Sequence, residues 1–112
     1  MASDSDSLEE LDGSVFDLAD LVAYQPGAIV SRTLINEESA TLTAFALAEG
    51  QRISEHSAPH TALLQVTDGT GSITIDDDEY ELDAGESIVL PASVPHAVEA
   101  PSRFKMLLTM VR

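Results

Sequence analysis

The stretch GESIVLPASVPH, residues 85–96, decides the fold when it is read beside GQRISEHSAPH, residues 50–60. Each stretch opens on a glycine after a run of residues typical of a strand, and each has a proline directly before a histidine. All three histidines of the chain, His56, His60 and His96, lie in these stretches. Imidazole is the commonest protein ligand of transition metals. The sequence therefore raises the hypothesis that these side chains meet around a metal ion or another ligand.

The rest of the chain is a series of short segments typical of strands. Turn signals separate these segments, and Asp68-Gly69 predicts a hairpin within the series. No segment keeps a helical period for three turns, although residues 15–22 fit either a short helical turn or an edge strand. Many short strands at this spacing predict an all-β sandwich or barrel. The predicted strands cover residues 28–35, 40–48, 62–67, 71–75, 79–82, 87–90, 96–100 and 103–111.

The earlier stretch resembles the first motif of the cupin superfamily, G-x5-H-x-H followed by three or four residues and then E-x6-G. Gly50 and His56 match the opening of that motif, and Gly69 matches its end. Counting back from Gly69 places Ala62 at the glutamate, and Ala58 stands at the second histidine. The chain thus keeps the spacing of the motif but lacks two of the four side chains that usually hold a metal.

The later stretch resembles the second cupin motif, G-x5-P-x-G-x2-H-x3-N. Gly85, Pro91 and His96 match it, whereas Ser93 replaces the glycine and Ala100 replaces the asparagine. Together with the strand pattern, the resemblance covers nearly the whole chain. The chain is similar to small single-domain cupins of bacteria and archaea. The resemblance implies an all-β fold, a double-stranded β-helix in which two sheets form a jelly-roll barrel over residues 14–112.

The resemblance also implies that a metal, where one is bound, lies in the mouth of the barrel. We expect His56 and His96 to be its ligands, and His60 to be a relocated third ligand. The alternative is that His60 lies in a loop at the barrel rim, because Pro59 interrupts the alternation of the strand. Three histidines would suit Zn, Ni, Fe, Mn or Cu without selecting one of them.

Three kinds of function remain open at this point. The first is binding of a small molecule in the barrel through a divalent metal, with or without catalysis, since dioxygenases, isomerases and decarboxylases all occur in the superfamily. The second is a metal-free binding module, and the third is a structural dimeric domain. We expect a homodimer in each case, because a small barrel leaves sheet edges and an apolar face to cover. The predicted interface strands are residues 28–35 and 104–111.

The net charge of the chain limits the kinds of partner that it can bind. Twenty acidic residues face five basic ones, for a net charge of −15, and Lys105 is the single lysine. Such a surface repels nucleic acid and anionic membranes and suits a halophilic, haloarchaeal source, because concentrated salt screens the self-repulsion. Residues 1–13 are acidic, contain no base and predict a mobile tail. With no long apolar span and no signal sequence, the predicted location is the cytoplasm.

Overall fold

The structure is a computed structural model that describes residues 8–112, in which eight β-strands and two 3-10 turns occur. The 3-10 turns span Leu8–Leu11 and Leu18–Leu21, so the helical alternative for residues 15–22 is confirmed. Within the described residues, no helix is long and apolar enough to cross a membrane. The strands are β1 (Ile29–Asn36), β2 (Ala40–Leu47), β3 (Arg52–His56), β4 (Thr61–Ile75), β5 (Asp78–Asp83), β6 (Ser87–Leu90), β7 (His96–Glu99) and β8 (Phe104–Val111).

Of the predicted mobile tail over residues 1–13, residues 1–7 lie outside the described part of the chain. The remainder includes the first 3-10 turn, where the Glu10 carboxylate lies 3.7 Å from the Arg32 guanidinium. Both side chains are partly exposed, and an ion pair of this kind contributes little to stability. The mobility of the tail stays a prediction.

The strands form two antiparallel sheets that share the long strand β4. The first half of β4 pairs with β6 on one side and β8 on the other, and this sheet continues through β2 to β1. The second half of β4 pairs with β5 and β7, and this sheet continues to β3. The two curled sheets confirm the predicted all-β double-stranded β-helix.

The hairpin predicted at Asp68-Gly69 is wrong, because β4 runs unbroken through these residues. The pairing of β4 with β8 shifts between Val66 and Asp68, and Gly69 has a φ of 74°. A Cβ atom at Gly69 would collide with the carbonyl oxygen of Arg103, so a residue with a side chain does not fit there. The turn signal therefore marks a bulge, at which β4 bends from one sheet into the other.

The main apolar core lies between the two sheets. Ala62, Leu64 and Val66 share the inward face of β4, as the period-two alternation of a strand predicts, and are 5%, 0% and 2% exposed. Buried side chains from both sheets meet them and exclude water, which is the largest favourable contribution to folding. The other buried members of this core are Leu47, Ile73, Leu82, Leu90, Val98, Ala100, Phe104 and Met106.

A second apolar cluster lies on the outer face of the sheet that contains β1, β2 and β8. There Leu21 and Val22 of the N-terminal segment pack over Ala44 and Ala46 of β2. Side chains of β2 alternate between the two faces, since Phe45 packs against the main core instead. The N-terminal segment therefore covers one end of this outer face.

Basic side chains fasten the same segment. The Lys105 ammonium donates a hydrogen bond to the carbonyl of Ala19 at 2.6 Å, and Arg32 donates to another backbone carbonyl of the segment at 3.1 Å. Arg103 and Lys105 also lie over the Tyr24 ring, at 4.6 and 4.9 Å from its centroid. Three of the five basic residues of the chain thus hold its N-terminal segment on the barrel.

Candidate functional site

The structure brings two of the three predicted histidines together. His56, the last residue of β3, is the direct cross-strand partner of His96, the first residue of β7. Their ring centroids are 4.4 Å apart, the ring planes meet at 69°, and the two Nε2 atoms are 3.2 Å apart. His96 is 8% exposed, whereas His56 is exposed. The two imidazoles therefore form a pair that runs from the interior to the surface.

A bulge in β3 aims His56 at its partner. Ile53 pairs with Val98 in register, but the next pair joins His56 to His96, so β3 contributes one residue more than β7. Without that extra residue, Glu55 would stand opposite His96, because side chains alternate along a strand. The bulge thus places an imidazole, and not a carboxylate, beside His96.

A backbone hydrogen bond fixes the two loops that carry the pair. Ser93 has a φ of 65°, in the left-handed region, and its N–H donates to the carbonyl of Ala58 at 2.7 Å. This backbone conformation costs a residue with a side chain about 1–2 kcal/mol, which explains why the cupin motif has glycine at this position. The bond joins the loop after His56 to the loop before His96 and so holds the histidines in place.

Both ring Nδ1 atoms are engaged by the backbone. His56 Nδ1 lies 2.9 Å from the Ser54 carbonyl oxygen, and His96 Nδ1 lies 3.3 Å from the Val94 carbonyl oxygen. A carbonyl oxygen only accepts, so each Nδ1 donates and carries the proton. In a neutral pair, both Nε2 atoms then direct lone pairs at each other. A metal ion bound by both Nε2 atoms would turn this repulsion into attraction.

The pair closes a small apolar cavity of about 160 Å³ between the sheets. Apart from the two imidazoles, every side chain that lines it is a hydrocarbon or a thioether. In the described part of the chain, the two histidines are thus the only groups of its wall that can ionise. The other lining residues are Phe45, Ile53, Leu64, Leu90, Val98, Met106 and Leu108.

Burial favours the neutral form of His96. Loss of hydration lowers the pKa of His96, the charge of His56 lowers it further, and the contact with the Val94 carbonyl opposes both effects. The folded protein therefore takes up a proton at His96 less readily than the unfolded chain does.

This difference predicts that the protein loses stability as the pH falls below about 6.5, the usual histidine value. The unfolded state binds the proton first, so the stability that His96 contributes above this pH is lost as the pH falls through its folded pKa. Urea unfolding between pH 8 and pH 5.5 should show the decline, and His96→Leu should reduce the slope. His60→Gln is the matched control. If the free energy of unfolding of His96→Leu depended on pH as steeply as that of the wild type, His96 would not be the cause of the decline.

His60 does not join the pair as a third member. It lies half-buried in the bend before β4, and no three His, Cys, Asp or Glu side chains among residues 8–112 are placed to hold a metal ion. Ala62, at the glutamate position of the motif, is 5% exposed and supplies no ligand atom. A role for His60 at a metal therefore stays a prediction.

The sequence of residues 43–112 matches the family described as Cupin domain, which is more than half of the chain. The protein therefore belongs to the cupin domain family. This assignment confirms the resemblance carried by the two motifs. No curated protein matches the chain.

Solved structures agree with the assignment. A conserved protein of unknown function from Streptococcus pyogenes is 38% identical, with a TM-score of 0.86 over 89% of this chain and 88% of its own. A cupin 2 conserved barrel domain protein from Leptotrichia buccalis is 42% identical, with a TM-score of 0.84 over 87% of this chain and 47% of its own. A cupin superfamily protein from Desulfitobacterium hafniense is 27% identical, with a TM-score of 0.83 over 86% and 88%.

Proposed function

We propose that the protein binds a small molecule in its barrel through a divalent transition metal held by His56 and His96. The observation that carries this proposal is the 3.2 Å separation of two Nε2 atoms whose rings are both fixed by hydrogen bonds at Nδ1. Donation from Nδ1 to a carbonyl is the usual way in which a metal-binding imidazole is oriented, and it makes Nε2 a better donor to the metal.

The separation of the two nitrogens fits a shared metal. Zinc–imidazole bonds of about 2.0–2.1 Å at angles of roughly 90–110° put two ligand nitrogens about 2.9–3.4 Å apart. Both Nε2 atoms carry free lone pairs, as coordination requires. Two protein ligands leave the remaining positions of the ion to water or to the bound molecule, so this site would be open to a ligand.

Each part of the chain has a distinct task in this proposal. A bound divalent ion supplies positive charge and Lewis acidity at the barrel mouth. His56 and His96 hold the ion, the Ser54 and Val94 carbonyls keep both Nδ1 protons in place, and the apolar wall excludes water from the bound molecule. Among residues 8–112, no further acid or base lines the cavity. We therefore propose binding of a small molecule as the function, and we assign no catalytic role to the residues of the cavity.

Titration calorimetry with Zn²⁺ and Ni²⁺ tests the proposal. We expect binding to the wild type, loss of binding in His56→Ala and in His96→Ala, and weaker binding below about pH 6.5, because ligand nitrogens must be unprotonated. His60→Ala separates the two forms of the site: unchanged affinity gives a pair, and reduced affinity makes His60 a third ligand. Unchanged binding in both His56→Ala and His96→Ala would place any metal outside the barrel and refute the proposal.

A second candidate is metal-free ligand binding. It is favoured by Ala58 and Ala62, which stand where the cupin motif has two further ligands. Absence of zinc binding, together with retained binding of a small molecule that requires His56 and His96, would identify this form.

We also propose a high-salt source for the protein, because the chain carries a net charge of −15. Self-repulsion opposes compaction, and dissolved ions screen it. The midpoint of thermal unfolding is expected to rise from low to molar KCl. A midpoint that does not change over this range would contradict the halophile hypothesis.

We also propose that the protein is a homodimer. The strands predicted to form its interface are residues 28–35 and 104–111. The end of the outer sheet face that the N-terminal segment leaves open carries Leu63, Val89 and Val111, which are 37%, 53% and 62% exposed. Leu63 and Val89 are direct cross-strand partners, so they form one apolar patch. Light scattering at micromolar concentration should give the mass of a dimer. The mass of a monomer would contradict this part of the proposal.

A further inference from the structure

We propose that the cavity behind the histidine pair selects a small monocarboxylate whose body is apolar and about the size of one six-membered ring. This inference rests on the proposed function for the cation at the barrel mouth and adds the chemical class of the bound molecule. It follows from three properties of the cavity: its volume, the chemistry of its wall and the position of its only charge.

The volume limits the body of the ligand. The cavity measures about 160 Å³, and a cavity of roughly 150 Å³ lined by aliphatic side chains holds one benzene molecule. Leu64, Leu90, Val98 and Met106 form its inner part and are at most 3% exposed. Their packing leaves no room for a second ring. A branched aliphatic chain or a single aromatic ring therefore fills the space.

The wall limits the polarity of the body. A hydroxyl or second carboxylate buried among these side chains would find no hydrogen-bond partner, and an unsatisfied buried group weakens binding by about tenfold or more. Sugars and dicarboxylates are thus excluded by the absence of donors and acceptors in the wall. Each of these excluded molecules has a polar group that would lie among the apolar side chains, away from His56 and His96.

The charge fixes the head of the ligand. Among the described residues, His56 and His96 are the only ionisable side chains in the wall, and the divalent metal proposed between them would be positive. A carboxylate is the head that such a cation binds. The net charge of −15 opposes the approach of an anion, but molar salt reduces the screening length to about 3 Å. The positive pair then acts on the ligand at short range without opposition from the distant surface.

Calorimetric titration with benzoate, acetate and terephthalate in molar KCl, with and without Zn²⁺, tests the assignment. Benzoate should bind at least about tenfold more tightly than acetate, because its ring leaves water. It should also bind about tenfold more tightly than terephthalate, whose second carboxylate lies at the far end of the ring and meets no partner in the wall. Equal affinities for benzoate and acetate would overturn the assignment.

Two variants of Leu108, a half-buried residue of the cavity wall, make the test specific. Leu108→Phe fills the cavity and should lower benzoate affinity at least about tenfold, and should lower acetate affinity much less, because acetate has no ring to place there. Leu108→Ala enlarges it and should shift the preference from benzoate to 4-methylbenzoate. Val15→Phe is the control, because it adds a ring at a fully exposed position. Circular dichroism establishes that each variant is folded.

The outcomes separate this inference from the proposed function. Zinc binding that requires the two histidines, with benzoate binding no tighter than acetate, would overturn the ligand class and leave the metal site standing. Benzoate binding that responds to both Leu108 variants in the absence of any zinc binding would support the ligand class and refute the metal. Benzoate affinity in Leu108→Phe equal to that in Val15→Phe would overturn the inference.

Discussion

The double substitution Ala58→His and Ala62→Glu is expected to raise the affinity of the protein for zinc by at least about a hundredfold. These positions carry the second histidine and the glutamate of the cupin motif, which the resemblance implies as metal ligands. Loss of a partner that only orients a ligand already changes metal affinity by about 10- to 100-fold. Two restored ligands beside the existing imidazole pair should exceed that change, because they coordinate the ion themselves.

The same variant is expected to be less stable than the wild type when no metal is present. Ala62 is 5% exposed and lies between Leu90 and Met110 on the neighbouring strands. A carboxylate there loses its hydration without gaining a partner. Zinc supplies that partner, so the thermal midpoint of the variant should rise with zinc far more than the midpoint of the wild type does.

Ala92→His is the control for this prediction, since it adds a histidine at an exposed position of the β6–β7 loop. Its zinc affinity should remain close to that of the wild type. A double variant that folds and binds zinc no better than Ala92→His would show that the four motif positions do not converge on one ion.

The strand pattern and the two motifs were sufficient to predict the fold. Period-two alternation placed Leu64 and Val66 inward correctly, because a residue in a paired strand has only two faces to choose from. Pro91 and its spacing to His96 located the second motif correctly in the chain. These signals depend on residues near each other in the chain. The turn signal at Asp68-Gly69 is also local, but it predicted a hairpin wrongly because the pairing of β4 with β8 makes it a bulge.

The arrangement of the histidine pair was harder to predict, because it depends on pairings between distant strands. The sequence gives no sign that β3 forms over residues 52–56, since Arg52 and Glu55 break the apolar alternation that marks a half-buried strand. Nor does it show the bulge that turns His56 and not Glu55 toward His96. Only the register between β3 and β7 determines which side chain faces the cavity.

The role of the basic residues could not be predicted from the sequence either. Lys105 and Arg103 alternate along the chain near the start of β8 in a way that is typical of a solvated strand. In the structure both lie over the Tyr24 ring, whose hydroxyl donates to Asp68 at 2.6 Å. Burial, with the hydrogen bond and charge of Asp68, raises the pKa of Tyr24 above its usual range, although Arg103 opposes this. The phenol therefore stays a donor at neutral pH.

Phe104→Ala is expected to lower the free energy of unfolding by about 3–5 kcal/mol, the usual range for loss of a buried aromatic side chain. Phe104 is 0% exposed and lies where β8 meets the bend of β4. Its ring covers the backbone of Gly71, where a Cβ atom would lie 2.5 Å from a ring carbon. Since a small domain has only about 5–15 kcal/mol of stability, this one side chain decides whether the barrel stays folded.

A double-mutant cycle separates the packing of the ring on Gly71 from simple loss of apolar surface. Gly71→Ala should be strongly destabilising in the wild type, because the added methyl group collides with Phe104, and much less so in Phe104→Leu. The expected coupling between the two positions is about 0.5–3 kcal/mol. Urea unfolding in molar KCl measures it, with Phe16→Ala as the control at a side chain that is 41% exposed. Additive effects would mean that β4 does not need a bare backbone at this bend. A measured coupling would mean that the glycine and the aromatic ring together set the curvature that brings the two sheets around the cavity.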